Sequence, residues 1–151
     1  MKLLIEQSDD RSEVEITIRC GAVIDPALER LIRQIRLFGY ALPGKKENQT
    51  VFIRPEDIFY FETVDGKTFV YCEKDVYECE IKLYEAEQRL SSGSFVRISK
   101  SSLLNMSKLK GFQTKLNGKL EAHLQNGERL EVNRHYVAQL KERLMEARDI
   151  K

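Results

Sequence analysis

Residues 97–111 read RISKSSLLNMSKLKG, with four serines, four cations and no carboxylate. Hydroxyls donate hydrogen bonds to anionic oxygens and cations neutralise them, so the run is suited to meeting phosphate oxygens. The acid-free stretch extends further. From Val96 to Leu120 the six cations Arg97, Lys100, Lys108, Lys110, Lys115 and Lys119 are accompanied by no Asp or Glu. Downstream, Arg134 and His135 follow Asn133, which reads as a helix N-cap. Cations in a first helical turn oppose the helix dipole. Beside a bound anion the same arrangement becomes favourable, because free backbone N–H groups point the same way. A guanidinium can also read guanine through two parallel hydrogen bonds in the major groove. The bland alternative is a solvated lysine-rich loop whose serines cap turns, and composition leaves both open.

Other chemistry is poorly supported. Cys20, Cys72 and Cys79 form no close CxxC pair, and only His123 and His135 could join them. A structural zinc site needs four closely spaced ligands, so buried thiols are expected instead. Neither histidine has a recognisable catalytic partner, and no GxSxG or P-loop pattern occurs. Glu56/Asp57 and Asp65–Gly66 are explained by turn chemistry. No enzyme activity and no cofactor is expected.

The elements that must position these groups come from 151 residues, enough for one compact domain with a small appendage. Hydrophobic content of 42% and charged content of 32% fit a globule. No apolar run reaches the ~20 residues a bilayer span needs. MKLLIEQSDD lacks the apolar core and cleavage site of a signal peptide, so a cytoplasmic location is expected. The net charge of +1 hides an asymmetry. Residues 51–94 hold five cations against ten acids, whereas residues 95–151 hold twelve against six.

The first 39 residues read as a ββα unit: KLLIE a strand, SDDR a turn, and VEITIRC a second strand with Val14, Ile16, Ile18 and Cys20 on one face. Asp25 then caps a helix over 26–38 that starts at Pro26. Its stripe is Leu28, Leu31, Ile32, Ile35 and Phe38, with Gly39 as C-terminal cap. Residues 40–151 are mostly β. TVFIR and DIFYFE are separated by Pro55, KTFVYCE and VYECE form a hairpin at Lys74–Asp75, IKLYEAEQRLSSG is a short helix, and SFVRIS is a strand. Two Asn-Gly pairs, at 117–118 and 126–127, mark turns. Two-residue loops would set apolar against charged residues, so odd loops are required. Odd loops with Leu116 opposite Leu120 and Leu124 opposite Leu130 give one apolar face across three strands. Thr114 and Val132 then both lie opposite Ala122, and Phe112 opposite Leu124. The chain ends in a helix with Val137, Leu140, Leu144 and Ala147 as its buried stripe. The fold class is thus mainly β with a few short helices (α+β).

At this point FVRISKSSLLNMSKLKGF resembles the signature of the LytTR DNA-binding domain family. RPEDIFYFETVDGKTFVY upstream and LNGKLEAHLQNGERLEVNRHYVAQLKERL downstream resemble it in the right order, over about residues 41–147. The resemblance implies an antiparallel β fold whose long inter-strand loops enter the major groove of double-stranded DNA at promoter repeats. It implies base reading by Lys67 and Thr68 in a first loop, by Lys100 with Ser99 before it in a second, and by Arg134, next to His135, in a third. Arg97, Ser101, Lys108 and Lys110 are expected at phosphates or in structural roles, and Asn105 in turn or β-edge chemistry. Forty preceding residues are too few for the receiver domain many members carry, so the stand-alone form is expected. The implied function is a sequence-specific transcriptional regulator acting as a homodimer, with residues 1–39 as the dimer contact. Control by abundance, by self-association or by a membrane-bound partner remains open. A β-rich interaction module whose basic face meets an acidic protein is the competing reading.

Overall fold

Alternating apolar residues make strands of most of the chain after Tyr40, and short turns fix how the strands pair. The computed structural model describes residues 1–37, 39–91 and 93–148, the side chains of Ala147 and Arg148 excepted. Phe38 and the side chain of Ala147, both expected in apolar stripes, therefore lie outside the described residues. The elements are α1 (Pro26–Leu37), β1 (Leu42–Lys46), β2 (Gln49–Ile53), β3 (Tyr60–Val64), β4 (Lys67–Tyr71) and β5 (Val76–Cys79). They continue with α2 (Leu83–Arg89), β6 (Phe95–Ser99), β7 (Ser102–Asn105), β8 (Leu109–Thr114), β9 (Leu120–Leu124), β10 (Arg129–Val132) and α3 (Arg134–Arg148).

Seven strands form one sheet in the order β2-β1-β5-β4-β3-β7-β6, and three form a second in the order β10-β9-β8. The large sheet is the middle layer. On one face Phe61, Val70 and Leu103 pack with Leu83 and Ala86 of α2 and with Leu90. On the other, Tyr60, Val96, Ile98 and Leu104 meet Leu120, Ala122, Leu124 and Val132 of the small sheet and Leu140 of α3. Each Val, Leu, Ile or Phe side chain among them contributes roughly 1.5–3 kcal/mol on burial. Two covered faces explain why Ile58–Phe61 reads as an unbroken apolar run.

Asn105 ties the layers together. It is 1% exposed, and its amide donates to the carbonyl of Ile58 at 2.7 Å. Its Oδ1 accepts from Ser94 Oγ, Ser107 N and Ser107 Oγ. The expected turn chemistry is thus present, in a buried form.

In the small sheet both loops have three residues, but each register lies two residues from the one expected. Thr114 pairs with Leu120, Phe112 with Ala122, Leu130 with Ala122 and Val132 with Leu120. The loops are 116–118, closed by Lys115 N donating to Lys119 O, and 125–127, closed by Leu124 N donating to Glu128 O. A three-residue hairpin loop takes its left-handed residue last. Gly118 (φ +73°) and Gly127 (φ +91°) occupy that position. A shift of two keeps every side chain on its face. Leu120, Ala122, Leu124 and Val132 are therefore buried as expected, while Leu116 moves into the loop, 88% exposed.

The N-terminus departs from expectation. Among residues 1–24 there is no strand, only the Ser8–Arg11 turn, where Arg11 N donates to Ser8 O at 3.4 Å. A lone two-stranded hairpin is marginal in water. Cys20 is accordingly exposed rather than buried, whereas Cys72 is half-buried and Cys79 buried. α1 forms as expected, with Asp25 Oδ1 accepting from Leu28 N at 2.8 Å. None of its residues is buried, although Leu37 packs against the core beneath α2.

Candidate nucleic-acid interface

The three segments expected to read bases converge at one end of the large sheet. Asp65 (φ +51°) and Gly66 (φ +79°) form the two-residue turn between β3 and β4, which sets Lys67 opposite Val64 at the tip. Asp-Gly supplies the two positive-φ residues such a turn requires. Lys67 is exposed. Thr68 is 5% exposed and points to the face that carries Val70, so of the two expected residues only Lys67 is offered to a ligand.

Lys100 and Ser101 form the equivalent turn between β6 and β7, with Ser99 opposite Ser102. β7 lies beside β3, and Thr63 N donates to Ser101 O at 2.8 Å, so the two turns are neighbours. Arg97 holds the second turn from within. Its Nη1 donates to the carbonyl of Lys100 at 2.6 Å and its Nε to Glu87 Oε2 at 2.9 Å. Ser101 N donates to Ser99 Oγ at 3.2 Å. Arg97 and Ser99 are thus engaged in shaping the turn, while the Lys100 side chain is exposed. Both connections are two-residue turns, not the long loops that were expected.

The third segment arrives from the small sheet. Asn133 N donates to Ile98 O at 2.9 Å, which docks the start of α3 one residue before Ser99. Asn133 caps the helix, its Oδ1 accepting from His135 N at 3.1 Å. Arg134 and His135 are exposed in the first turn. The 116–118 loop lies alongside, since a Cβ added to Gly118 would stand 3.6 Å from that of Arg134. Among the described residues Lys67, Lys100 and Arg134 form no ion pair with a carboxylate.

Lys108 and Lys110 lie apart from these three, at the opposite end. Lys108 O accepts from Gln125 N beside the 125–127 loop, and its ammonium stands 5.1 Å over the Phe59 ring. It shares a depression with Asp57, Glu73 and Asp75. Lys110 sits on the bulge between Leu109 and Gly111, where β8 meets the Leu124 end of β9. The acid-free stretch therefore runs from one end of the molecule to the other and back, and is not one surface. Sequence reasoning left Lys115 and Lys119 off the site. They flank the loop beside Arg134, each paired with a carboxylate: Lys115 with Glu121 at 3.6 Å, Lys119 with Glu131 at 3.0 Å. Only a correct loop register would have brought them there.

Comparison with known proteins agrees with this architecture. Residues 48–145 match the model of the LytTr DNA-binding domain. The sensory transduction protein LytT of Enterococcus faecalis is 30% identical over 104 residues, 69% of this chain and 43% of that protein. LytT of Bacillus anthracis is 30% identical over 98 residues, 65% of this chain and 40% of that one. The chain thus spans about two-fifths of the length of these relatives. An uncharacterized HTH-type transcriptional regulator of Staphylococcus aureus is 25% identical over 105 residues, 70% of this chain and 71% of that protein. In three dimensions the chain is similar to the LytTr DNA-binding domain of a methyl-accepting/DNA response regulator from Bacillus cereus. The TM-score is 0.66 at 24% identity, over 70% of this chain and 96% of that one, a likeness of fold.

Proposed function

The chain belongs to the LytTr DNA-binding domain family, and on that premise we propose that it is a sequence-specific transcriptional regulator acting in the cytoplasm. Its two hairpin turns and the first turn of α3 enter the major groove. The observation that carries the reading is the gathering of Lys67, Lys100 and Arg134 on three adjacent connections, all exposed and, among the described residues, none paired with a carboxylate. Arg134 projects from a helix N-terminus, where free N–H groups hold a phosphate while the guanidinium reaches a base. The two turns are borne by strand pairs two strand spacings apart, about 10 Å. That corresponds to about three base-pair steps at ~3.4 Å each, so the turns address successive positions along one groove. Binding as a homodimer through residues 1–39 belongs to the same proposal.

Capture of genomic fragments by the full chain, followed by footprinting at physiological salt, tests it. Protection of a discrete repeat near a promoter is expected. Retention without sequence preference would favour a basic surface for an acidic partner instead.

A further inference from the structure

Residues 1–24 carry the chemistry of strands without forming any. Val14 and Ile16 are 90% and 56% exposed, and Leu3 and Ile5 are exposed as well. The Ser8–Arg11 turn is already in place. Extending a hairpin from it sets Ile5 opposite Val14 and Leu3 opposite Ile16, with Met1 and Ile18 on the same face. One copy stops at two strands, which do not hold by themselves; three or more strands, or a helix on the apolar face, are needed. Both missing parts exist in two copies of this chain.

The outer edge of residues 14–20 is self-complementary. In an antiparallel pair centred on Thr17, Ile16 faces Ile18 of the second copy, Val14 faces Cys20, and Glu15 faces Arg19. Two-fold symmetry makes each pair occur twice. A half-residue shift sets apolar against charged residues and is excluded by face. Centring on Ile16 keeps one charge pair, Glu13 with Arg19, but places Ser12 against Cys20 and leaves Glu15 opposite Thr17. The Thr17 register therefore buries more apolar surface and uses the central charges.

We propose that a second copy of this chain completes the N-terminal unit, the two 14–20 segments pairing antiparallel about Thr17 to make a four-stranded ribbon. Its apolar face is covered by the α1 helices, whose stripe of Leu28, Leu31, Ile32 and Ile35 has no buried member in the single chain. Only residues 21–25 separate strand from helix, which keeps α1 within reach. The inference rests on the homodimer reading above and is tested without DNA, so its failure is distinguishable from failure of DNA recognition.

Sedimentation of the full chain over a range of concentrations reads the charge pairs. Glu15→Arg and Arg19→Glu should each weaken the dimer about ten-fold, since like charges then face each other twice. The double variant should restore it. Facing Cα atoms in antiparallel strands lie ~4.5–5.5 Å apart, within disulfide reach. In a Cys20→Ser background, Thr17→Cys should therefore oxidise to a covalent dimer faster than Ile16→Cys. A monomer at every concentration overturns the proposal, as does a double variant no better than the single ones. Equal or reversed cross-linking rates overturn it too.

Discussion

The backbone N–H of Asn133 donates to the carbonyl of Ile98 at 2.9 Å, joining the first turn of α3 to the strand that leads into the Lys100 turn. Arg134 and Lys100 are thereby joined although one follows the last strand of the small sheet and the other a strand of the large sheet. A side chain so placed can be asked for a geometric contact as well as for charge.

Arg134→Ala should shrink the ratio of specific to random DNA binding, at a cost of about 1–3 kcal/mol on the cognate duplex. Arg134→Lys keeps the charge but loses the planar fork, and should recover affinity for random duplex without recovering the ratio. Titrations on cognate and scrambled duplexes decide it. Equal weakening on both by Arg134→Ala would refute base reading by this residue.

Lys108→Ala should leave DNA affinity and its salt dependence unchanged, because Lys108 lies among Asp57, Glu73 and Asp75 at the far end. A phosphate-neutralising lysine would lower the slope of log affinity against log salt by about one. Loss of its contact with Phe59 should cost about 0.5–1 kcal/mol of stability, measured by urea unfolding. A reduced salt slope would return Lys108 to the interface.

Asn105→Ala should be among the most damaging single changes outside the apolar core. It strands the Ile58 carbonyl and the Ser107 N–H and leaves a void. At about 1–3 kcal/mol for the buried Ile58 carbonyl left unpaired, with the void adding to it, a loss of about 3 kcal/mol is expected in denaturant unfolding. A change under about 1 kcal/mol would mean that the network rearranges around the gap.

The buried thiols predict an alkaline weakness. Desolvation pushes Cys72 up to about 11, helped by Asp57 and Asp75, and pushes Cys79 up to about 11 as well. Folded-state values above the ordinary 9.0 mean that the unfolded chain releases its protons first as pH rises. The stabilisation is therefore complete below about pH 9 and is lost between about pH 9 and 11. Melting temperature should fall over that window, and less steeply in Cys72→Ala. In protein dilute enough to be monomeric, iodoacetamide at neutral pH should label exposed Cys20 well before the other two.

Legibility of the sequence followed the range of the interactions involved. Local signals were readable: Asp25 as a cap, Asp65–Gly66 as a turn, Asn133 opening α3, and the face shared by Leu120, Ala122, Leu124 and Val132. β1 was not readable, because Pro43 and Gly44 look like breakers. Gly44 is there because a Cβ would stand 2.8 Å from that of Tyr77 on β5, a strand more than thirty residues away. The site divides in the same way. Lys67, Lys100 and Arg134 could be picked from the family resemblance, but the burial of Thr68 and the engagement of Arg97 with Glu87 depend on α2 and the core. Lys108 and Lys110 stand apart from those three because nearness in sequence is not nearness in space across a strand that runs the length of the small sheet.

Among the described residues Lys67, Lys100 and Arg134 stand unpaired at one pole of the strands, whereas at the other Asp57, Glu73 and Asp75 lie with Lys74 and Lys108, and Asp75 pairs with Lys46. A molecule with a net charge of only +1 therefore carries its unpaired cations off-centre, at one end of its own sheet. In the field of a polyanion such a body turns before it touches, so productive collisions become more frequent without any gain in contact energy. The torque fades as added salt shortens the screening length to ~8 Å at physiological ionic strength. Orientation in flight is then a separate, ionic-strength-dependent contribution to the association rate.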